Sequence, residues 1–386
     1  MNSVVLHVGA MKTGSSALQH ALTHRPVRMA TTGTSPASFE YVALAPWALV
    51  RGDQLRHVAT LSGGGYACSA TLPQIMQESP SRRSEPLRQL RELRDAGASP
   101  ILSMETWLHE PRHVHGFTAL IDAPVHVVAY LAPQVSWFNS LFWQRTHFSF
   151  DRGVDSYLKA HTPTADWASL LEIWRTAPGV ERVSIRLKGP DIVTDFCGVL
   201  GCEPAERYRV VNPGHPGAFA RYIHRWTLSH AGSWGTIKEV FNRWVSAHDP
   251  SGETFAALGP TPVVIGPVEI RRIVETYEEG NRRLLAWCEP EVADRIRSDP
   301  RWWSTDPADH APKDFDVHVT PASARTNVGR RVEPRDEDLR MLLHETDRLL
   351  EATLGALAKA DEMCRAAERE RIAAASALPV PRSIPD

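Results

Sequence analysis

Short runs of apolar, mostly β-branched residues alternate along this chain with segments whose apolar positions recur every three or four residues. That alternation predicts an α/β fold, with strands buried on both faces of a central parallel sheet and helices on its flanks. The first run, residues 4–8, gives way within a few positions to a helical segment, Ser15–His24. From there to about Ser84 the chain is rich in Gly, Ser, Thr and Pro, Gly63-Gly64-Gly65 included, and no regular element stands out. Ser84 reads as the N-cap of a helix over 85–95, which turns Leu87, Leu90 and Leu93 to one face and is closed by Gly97. Strands are predicted at 101–104, at Val125–Leu131 (the strongest of the chain) and at 182–187. Helices are predicted at 167–176 and 191–200, the second stopped by Gly201.

Residues 1–303 read as one domain, within which about 213–290 is a helical, cap-like part. Its Trp- and Arg-rich stretch, 221–245, is suited to cover a site. Residues 304–334 lack any period and read as a loop, 335–372 as one long helix and 373–386 as a disordered tail. In the long helix Leu343, Leu350, Leu357 and Cys364 recur every seven residues, while Thr346 and Thr353 take the other seam position. That pattern admits either a homo-oligomeric contact between copies or packing back on the parent domain.

Composition narrows the function classes. At 386 residues, 42% apolar and 23% charged, the chain is globular and can bury one large core. A net charge near −2 argues against a nucleic-acid surface or a polybasic membrane patch. It leaves room for a phosphate site, which needs only local amides and a few cations. No segment reaches eighteen apolar residues and 4–8 is too short for a signal peptide, so no membrane span and a cytoplasmic location are expected. The five cysteines (Cys68, Cys197, Cys202, Cys288, Cys364) have no CxxC spacing and fit neither a disulfide framework nor a zinc ribbon. The twelve tryptophans read mainly as core and rim packing, with some available to line an acceptor pocket.

The chemistry concentrates in Val4-Val5-Leu6-His7-Val8-Gly9-Ala10-Met11-Lys12-Thr13-Gly14-Ser15-Ser16. A buried strand runs through a short loop with Gly9 and Gly14 straight into a helix. That geometry aims backbone N–H groups and the positive helix end at one spot, an anion site. Lys12 adds a cation, and Thr13, Ser15 and Ser16 add hydroxyl groups. The order is not that of a Walker A box, where Gly-Lys precedes the Ser/Thr. The strongest strand ends Tyr130-Leu131-Ala132, without the acidic residue that would hold Mg²⁺ for a nucleoside triphosphate.

The segment resembles the 5′-phosphosulfate loop of the sulfotransferase family, with Met11 where a proline often sits. A second stretch, 127–140, resembles that family's other cofactor element, in which a strand-end arginine and a serine eight residues later hold a 3′-phosphate. Ser140 matches the serine; Ala132 replaces the arginine, and Arg145 and Arg152 are nearby substitutes. Residues 183–201 and Asn281 with Leu284-Leu285 are similar to later elements of the family's bacterial carbohydrate-type members.

The resemblance implies a P-loop-like three-layer sandwich that transfers a sulfuryl group from 3′-phosphoadenosine 5′-phosphosulfate (PAPS), without a metal, to a small-molecule, carbohydrate or lipid acceptor, leaving the 3′,5′-bisphosphate PAP. Gly9, Lys12, Thr13, Gly14, Ser15, Ser16 and Ser140 would bind the donor, and Lys12 would neutralise the departing phosphate. In the family the base follows the strand after the first long connection, a place held here by Glu105, with His7 as the weaker candidate. Glu105 can equally cap the next helix or pair with an arginine. A solvated or pocket-lining face outweighs a metal site for His20 with His24 and for His109, His113 and His115. Two alternatives remain open: a non-catalytic or altered-donor nucleotide-binding protein of the same fold, and a deviant P-loop phosphotransferase.

Overall fold

The computed structural model describes residues 3–24, 28–29, 38–62, 65–145, 154–161, 164–203, 263–310 and 366. The chain divides into two compact units, the first made of residues 1–144, 152–213 and 262–313 and the second of 145–151, 214–261 and 314–386. The expected cap stretch 221–245, most of the 304–334 loop, the long helix at 335–372 apart from residue 366, and the tail fall outside the described residues.

The first unit is built on a six-stranded sheet. β1 (Val4–His7) leads to α1 (Ser15–His24), and a short β2 (Arg28–Met29) precedes a hairpin of β3 (Ser38–Ala45) and β4 (Ala48–Arg51). Helices α2 (Asp53–Leu61), α3 (Leu72–Gln77) and α4 (Pro80–Asp95) come before β5 (Ala98–Ser103), a single 3₁₀ turn (Trp107–His109) and α5 (Pro111–Ile121). Then follow β6 (Val125–Leu131), α6 (Gln134–Arg145), α7 (Val154–His161), α8 (Trp167–Arg175), β7 (Val180–Leu187), α9 (Ile192–Leu200) and β8 (Cys202–Glu203). The last described helices are α10 (Pro267–Leu285), α11 (Pro290–Ser298) and α12 (Pro307–His310).

The strand order is β4-β3-β5-β1-β6-β7, parallel throughout except for the antiparallel β3–β4 edge. β1 is therefore interior, and Val4, Val5 and Leu6 are wholly buried, as near-continuous apolar strands in a covered parallel sheet must be. The chain passes from β5 on one side of β1 to β6 on the other. Connections leave in opposite directions there, and it is at the carboxyl ends of strands beside such a switch in order that α/β folds bind ligands.

Sequence and structure agree closely for α1, β6 and α9. Asp191 caps α9 by accepting from the Thr194 N–H at 2.9 Å, and Gly201 ends it in the left-handed conformation. β5 and β7 start earlier than their apolar cores suggest, at Ala98 and Val180. Helix α4 departs more. It begins at Pro80 behind Ser79, one and a half turns before Ser84, and carries Pro86 in its interior. Proline fits the first helical position because the missing N–H is unpaired there anyway. Leu87, Leu90 and Leu93 are buried as expected. The stretch before Ser84, read as irregular, holds β3, β4, α2 and α3, with a Thr71–Gln74 capping box opening α3.

Helix α10 joins the sheet domain through a buried amide pair. Gln134 Nε2 donates to Asn281 Oδ1 at 2.7 Å, and Asn281 Nδ2 returns a bond to Gln134 Oε1 at 3.2 Å. Asn281 thus has a structural duty, holding α10 to the start of α6.

Candidate functional site

The loop between β1 and α1 continues the sheet before it turns. Val8 N–H donates to Val128 O at 3.0 Å and Ala10 N–H to Tyr130 O at 3.2 Å, so the loop rises along β6. Lys12, exposed, then takes a left-handed backbone (φ 67°), and Gly14 follows at φ 103°. A non-glycine residue in that region costs about 1–3 kcal/mol, and such strain concentrates where it positions a functional group. Gly14 also lies against Ile192, whose Cδ1 is 3.1 Å from where a Cβ would stand, so α9 backs the loop. The N–H groups of Gly14, Ser15 and Ser16, at the start of α1, meet no acceptor among the described residues. Amides without an acceptor among the described residues, at the positive end of a ten-residue helix and beside a lysine, have the chemistry of an anion cradle.

The hydroxyls of this segment divide between two sides. Thr13 and Ser15 are buried and turned inward; Thr13 Oγ1 donates to Ala10 O at 2.5 Å. Only Ser16 presents its hydroxyl outward, 3.1 Å from the Tyr66 phenol oxygen. Gly9 lies directly above the inward group. A Cβ there would stand 2.9 Å from His7 Nε2, 3.1 Å from Thr13 Oγ1 and 3.2 Å from Ser15 Oγ, so a larger residue would have to displace the His7 ring. From the other side Trp137 Nε1 donates to Met11 O at 2.8 Å and pins the loop to α6.

Beneath the loop, His7 Nδ1 is 2.7 Å from Ser103 Oγ, which also accepts from Gln19 Nε2 at 3.1 Å. The His7 ring meets Tyr130 and Phe196 edge-on, at 5.7 and 6.1 Å between centroids. Burial holds its pKa down at about 3, so the imidazole is neutral at any physiological pH. The ring is wholly buried, which places His7 away from solvent and argues against its serving as a base.

Glu105 stands in the bend after β5, half-buried, just ahead of the 3₁₀ turn. The N-cap of that turn is Thr106 rather than Glu105. Glu105 faces the loop that follows α2. Burial raises the Tyr66 phenol pKa, the bond with Ser16 opposes this, and the Glu105 charge raises it further. Burial and then Glu105 likewise raise the Cys68 thiol. Glu105, Tyr66, Cys68 and Ser16 therefore share one electrostatic neighbourhood at the N-terminus of α1.

Ser140 lies half-buried on α6. Its neighbour Asn139 is buried and accepts from Val264 N–H at 3.0 Å, a structural contact. Ala132 is buried at the end of β6, its carbonyl accepting from Trp167 Nε1 at 3.0 Å. The Arg145 side chain and Arg152 fall outside the described residues. On the neighbouring strand the register pairs Leu131 with Leu187, and Lys188 N–H donates to Leu131 O at 2.7 Å. The exposed Lys188 is thereby the residue beside Ala132 in the sheet.

Five tryptophans (Trp107, Trp137, Trp167, Trp174, Trp302) are fully buried, so the core reading holds for them. His109 stacks on Trp137 at 5.5 Å and packs near Trp167, while His20 and His24 lie 4.5 Å apart. No group of three or more His, Cys, Asp or Glu is arranged to hold a metal among the described residues. No described helix is long and apolar enough to cross a membrane.

Sequence reading missed Tyr66, Cys68, Trp137, Gln19 and Ser103 as parts of the site. Tyr66 and Cys68 lie in the segment with no visible period, just past Gly63-Gly64-Gly65. Ser103 meets His7 only through the pairing of β1 with β5, and Trp137 and Gln19 reach the loop and Ser103 through side-chain hydrogen bonds.

No protein-family model matches the chain, and no curated protein sequence does. Among solved structures the chain is similar to a sulfotransferase from Alicyclobacillus acidocaldarius, with 14% identity and a TM-score of 0.31 over 61% of this chain and 99% of that one. A likeness at that level concerns the fold alone and carries no functional argument.

Proposed function

We propose that the chain is a sulfotransferase that uses PAPS and transfers the sulfuryl group to an acceptor hydroxyl or amine. The observation that carries this reading is the cradle at the start of α1: three amides with no acceptor among the described residues, a glycine where a Cβ would press on the His7 ring, and Lys12 beside them at φ 67°. These groups fit a 5′-phosphosulfate, a compact anion that a single lysine and a helix end can neutralise. The donor, when bound, supplies the sulfuryl group. The amides of Gly14, Ser15 and Ser16 would hold its oxygens, and Lys12 would stabilise the charge that builds on the departing phosphate. Glu105, across Tyr66 from Ser16, would take the acceptor proton.

Ala132 favours a second reading, an altered donor lacking the 3′-phosphate. Under the first reading Lys188 supplies the cation that position 132 lacks. The two separate on one column. Retention on immobilised adenosine 3′,5′-bisphosphate with elution by free bisphosphate supports the sulfotransferase. Elution only by Mg·ATP supports a phosphotransferase, and equal elution by adenosine 5′-monophosphate supports an altered donor. Lys188→Ala should weaken the bisphosphate about tenfold, a charge-assisted contact of about 1.5–3 kcal/mol only partly lost, and leave the 5′-monophosphate unchanged.

A further inference from the structure

His7 is buried in the first strand, and nothing in the transfer chemistry uses it. Yet the loop is shaped around it. Its Nδ1 is fixed on Ser103, which Gln19 of α1 also engages. Its Nε2 and the Ser15 hydroxyl are both buried, both without a hydrogen-bond partner among the described residues, and both about 3 Å from the point a Cβ on Gly9 would occupy. Thr13 Oγ1, at the same point, has already donated its proton to Ala10 O. Two orphaned polar atoms converge under a loop whose glycine leaves room for them, and one belongs to the first residue of α1. The anchored end of the imidazole touches the same helix through Gln19.

We propose that His7 is the positioning residue of the anion loop: Nε2 engages the Ser15 hydroxyl when an anion draws the first turn of α1 into place. The contact between them would tie the cradle to β1. The neutrality of the ring is part of the device. A charged imidazole under Gly9 would compete with Lys12 for the anion, whereas a neutral one only fixes geometry. This inference needs an anion in the loop and rests on the sulfotransferase reading only for which anion that is.

A double-mutant cycle tests it. His7→Asn keeps a group at the Nδ1 position and the Ser103 contact but cannot reach Ser15; Ser15→Ala removes the partner. Affinities for adenosine 3′,5′-bisphosphate, Mg·ATP and pyrophosphate are measured by calorimetry on wild type, both single variants and the double variant. Each single variant should weaken the ligand that the wild type binds about tenfold, and the double variant should be no weaker than either. His7→Gln, whose amide reaches the Nε2 position, should recover most of the loss. Additive effects on binding, or full wild-type affinity in His7→Asn, would overturn the inference. Binding of Mg·ATP but not bisphosphate would overturn the sulfuryl-transfer reading while the cycle still judges His7. A wild type that binds none of the three overturns both. Should His7→Asn fail to fold, histidine ¹⁵N NMR on the wild type decides: the Nε2 resonance of His7 must shift on ligand addition, and an unmoved resonance refutes the role.

Discussion

At the scale of single residues the proposed chemistry rests on Lys12, and its strained backbone is the reason to separate its charge from its fold. Lys12→Ala keeps the loop's amides, so turnover should fall by about 10²–10³, the range for losing one electrostatic stabiliser of a departing charge, with the melting temperature nearly unchanged. Glu105→Gln should lower kcat by about 10²–10⁴, as expected for a general base, and leave donor affinity within about twofold. Full activity in that variant would eliminate Glu105. His7 gives a prediction of a different kind. With a folded pKa of about 3 against 6.5, the native state binds fewer protons than the unfolded chain between those values. Its contribution is complete above pH 6.5 and declines toward pH 3, by about 1.4 kcal/mol per unit. His126, held down at about 4 by burial and then by Arg182, acts in the same direction. Melting temperatures at pH 7.5 and 5 should therefore fall less in His7→Asn than in wild type; equal losses would mean that His7 is not the buried neutral group described.

Among the elements, the strand–loop–helix unit works because three neighbours brace it: α9 through Ile192 against Gly14, α6 through Trp137 on Met11, and β1 through His7 below Gly9. Trp137→Phe removes one part-buried hydrogen bond while keeping the ring. It should cost about 1 kcal/mol in stability, the usual net worth of one hydrogen bond, and weaken anion binding in step, which thermal melts and titration together would show. A stable variant with unaltered binding would remove that brace from the account. Element type was legible wherever a long periodic run met a clear cap. Asp191 and Gly201 frame α9, and Val125–Leu131 is too continuously apolar to be anything but a buried strand. It was illegible where capping signals compete. Ser84-Glu85 imitates a helix start, but Ser79-Pro80 is the one that wins, and interior Pro86 is accommodated because Leu87, Leu90 and Leu93 still bury the face. The β3–β4 hairpin was hidden because its alternation is short and lies among Gly, Ser and Thr.

At the scale of the whole molecule, local pattern was enough to predict the parallel α/β architecture, because a strand covered on both faces and a one-sided helix leave different periods in the sequence. The cradle was legible for the same reason: all its parts lie within a dozen residues. The rest of the site was not, since Ser103, Tyr130, Trp137 and Ile192 reach the loop only after β5, β6, α6 and α9 have assembled around β1. The antiparallel β3–β4 edge was likewise unforeseen, and it leaves the interior order β5-β1-β6 undisturbed. The account as a whole reduces to whether the turn after β1 binds a phosphosulfate nucleotide through Lys12. Titration calorimetry of adenosine 3′,5′-bisphosphate into wild type and Lys12→Ala, both shown to be folded, tests that directly. The account predicts saturable one-to-one binding by the wild type that is weakened at least about tenfold, or about 1.4 kcal/mol, in the variant. No heat of binding at millimolar nucleotide, or equal affinity in both proteins, would contradict it.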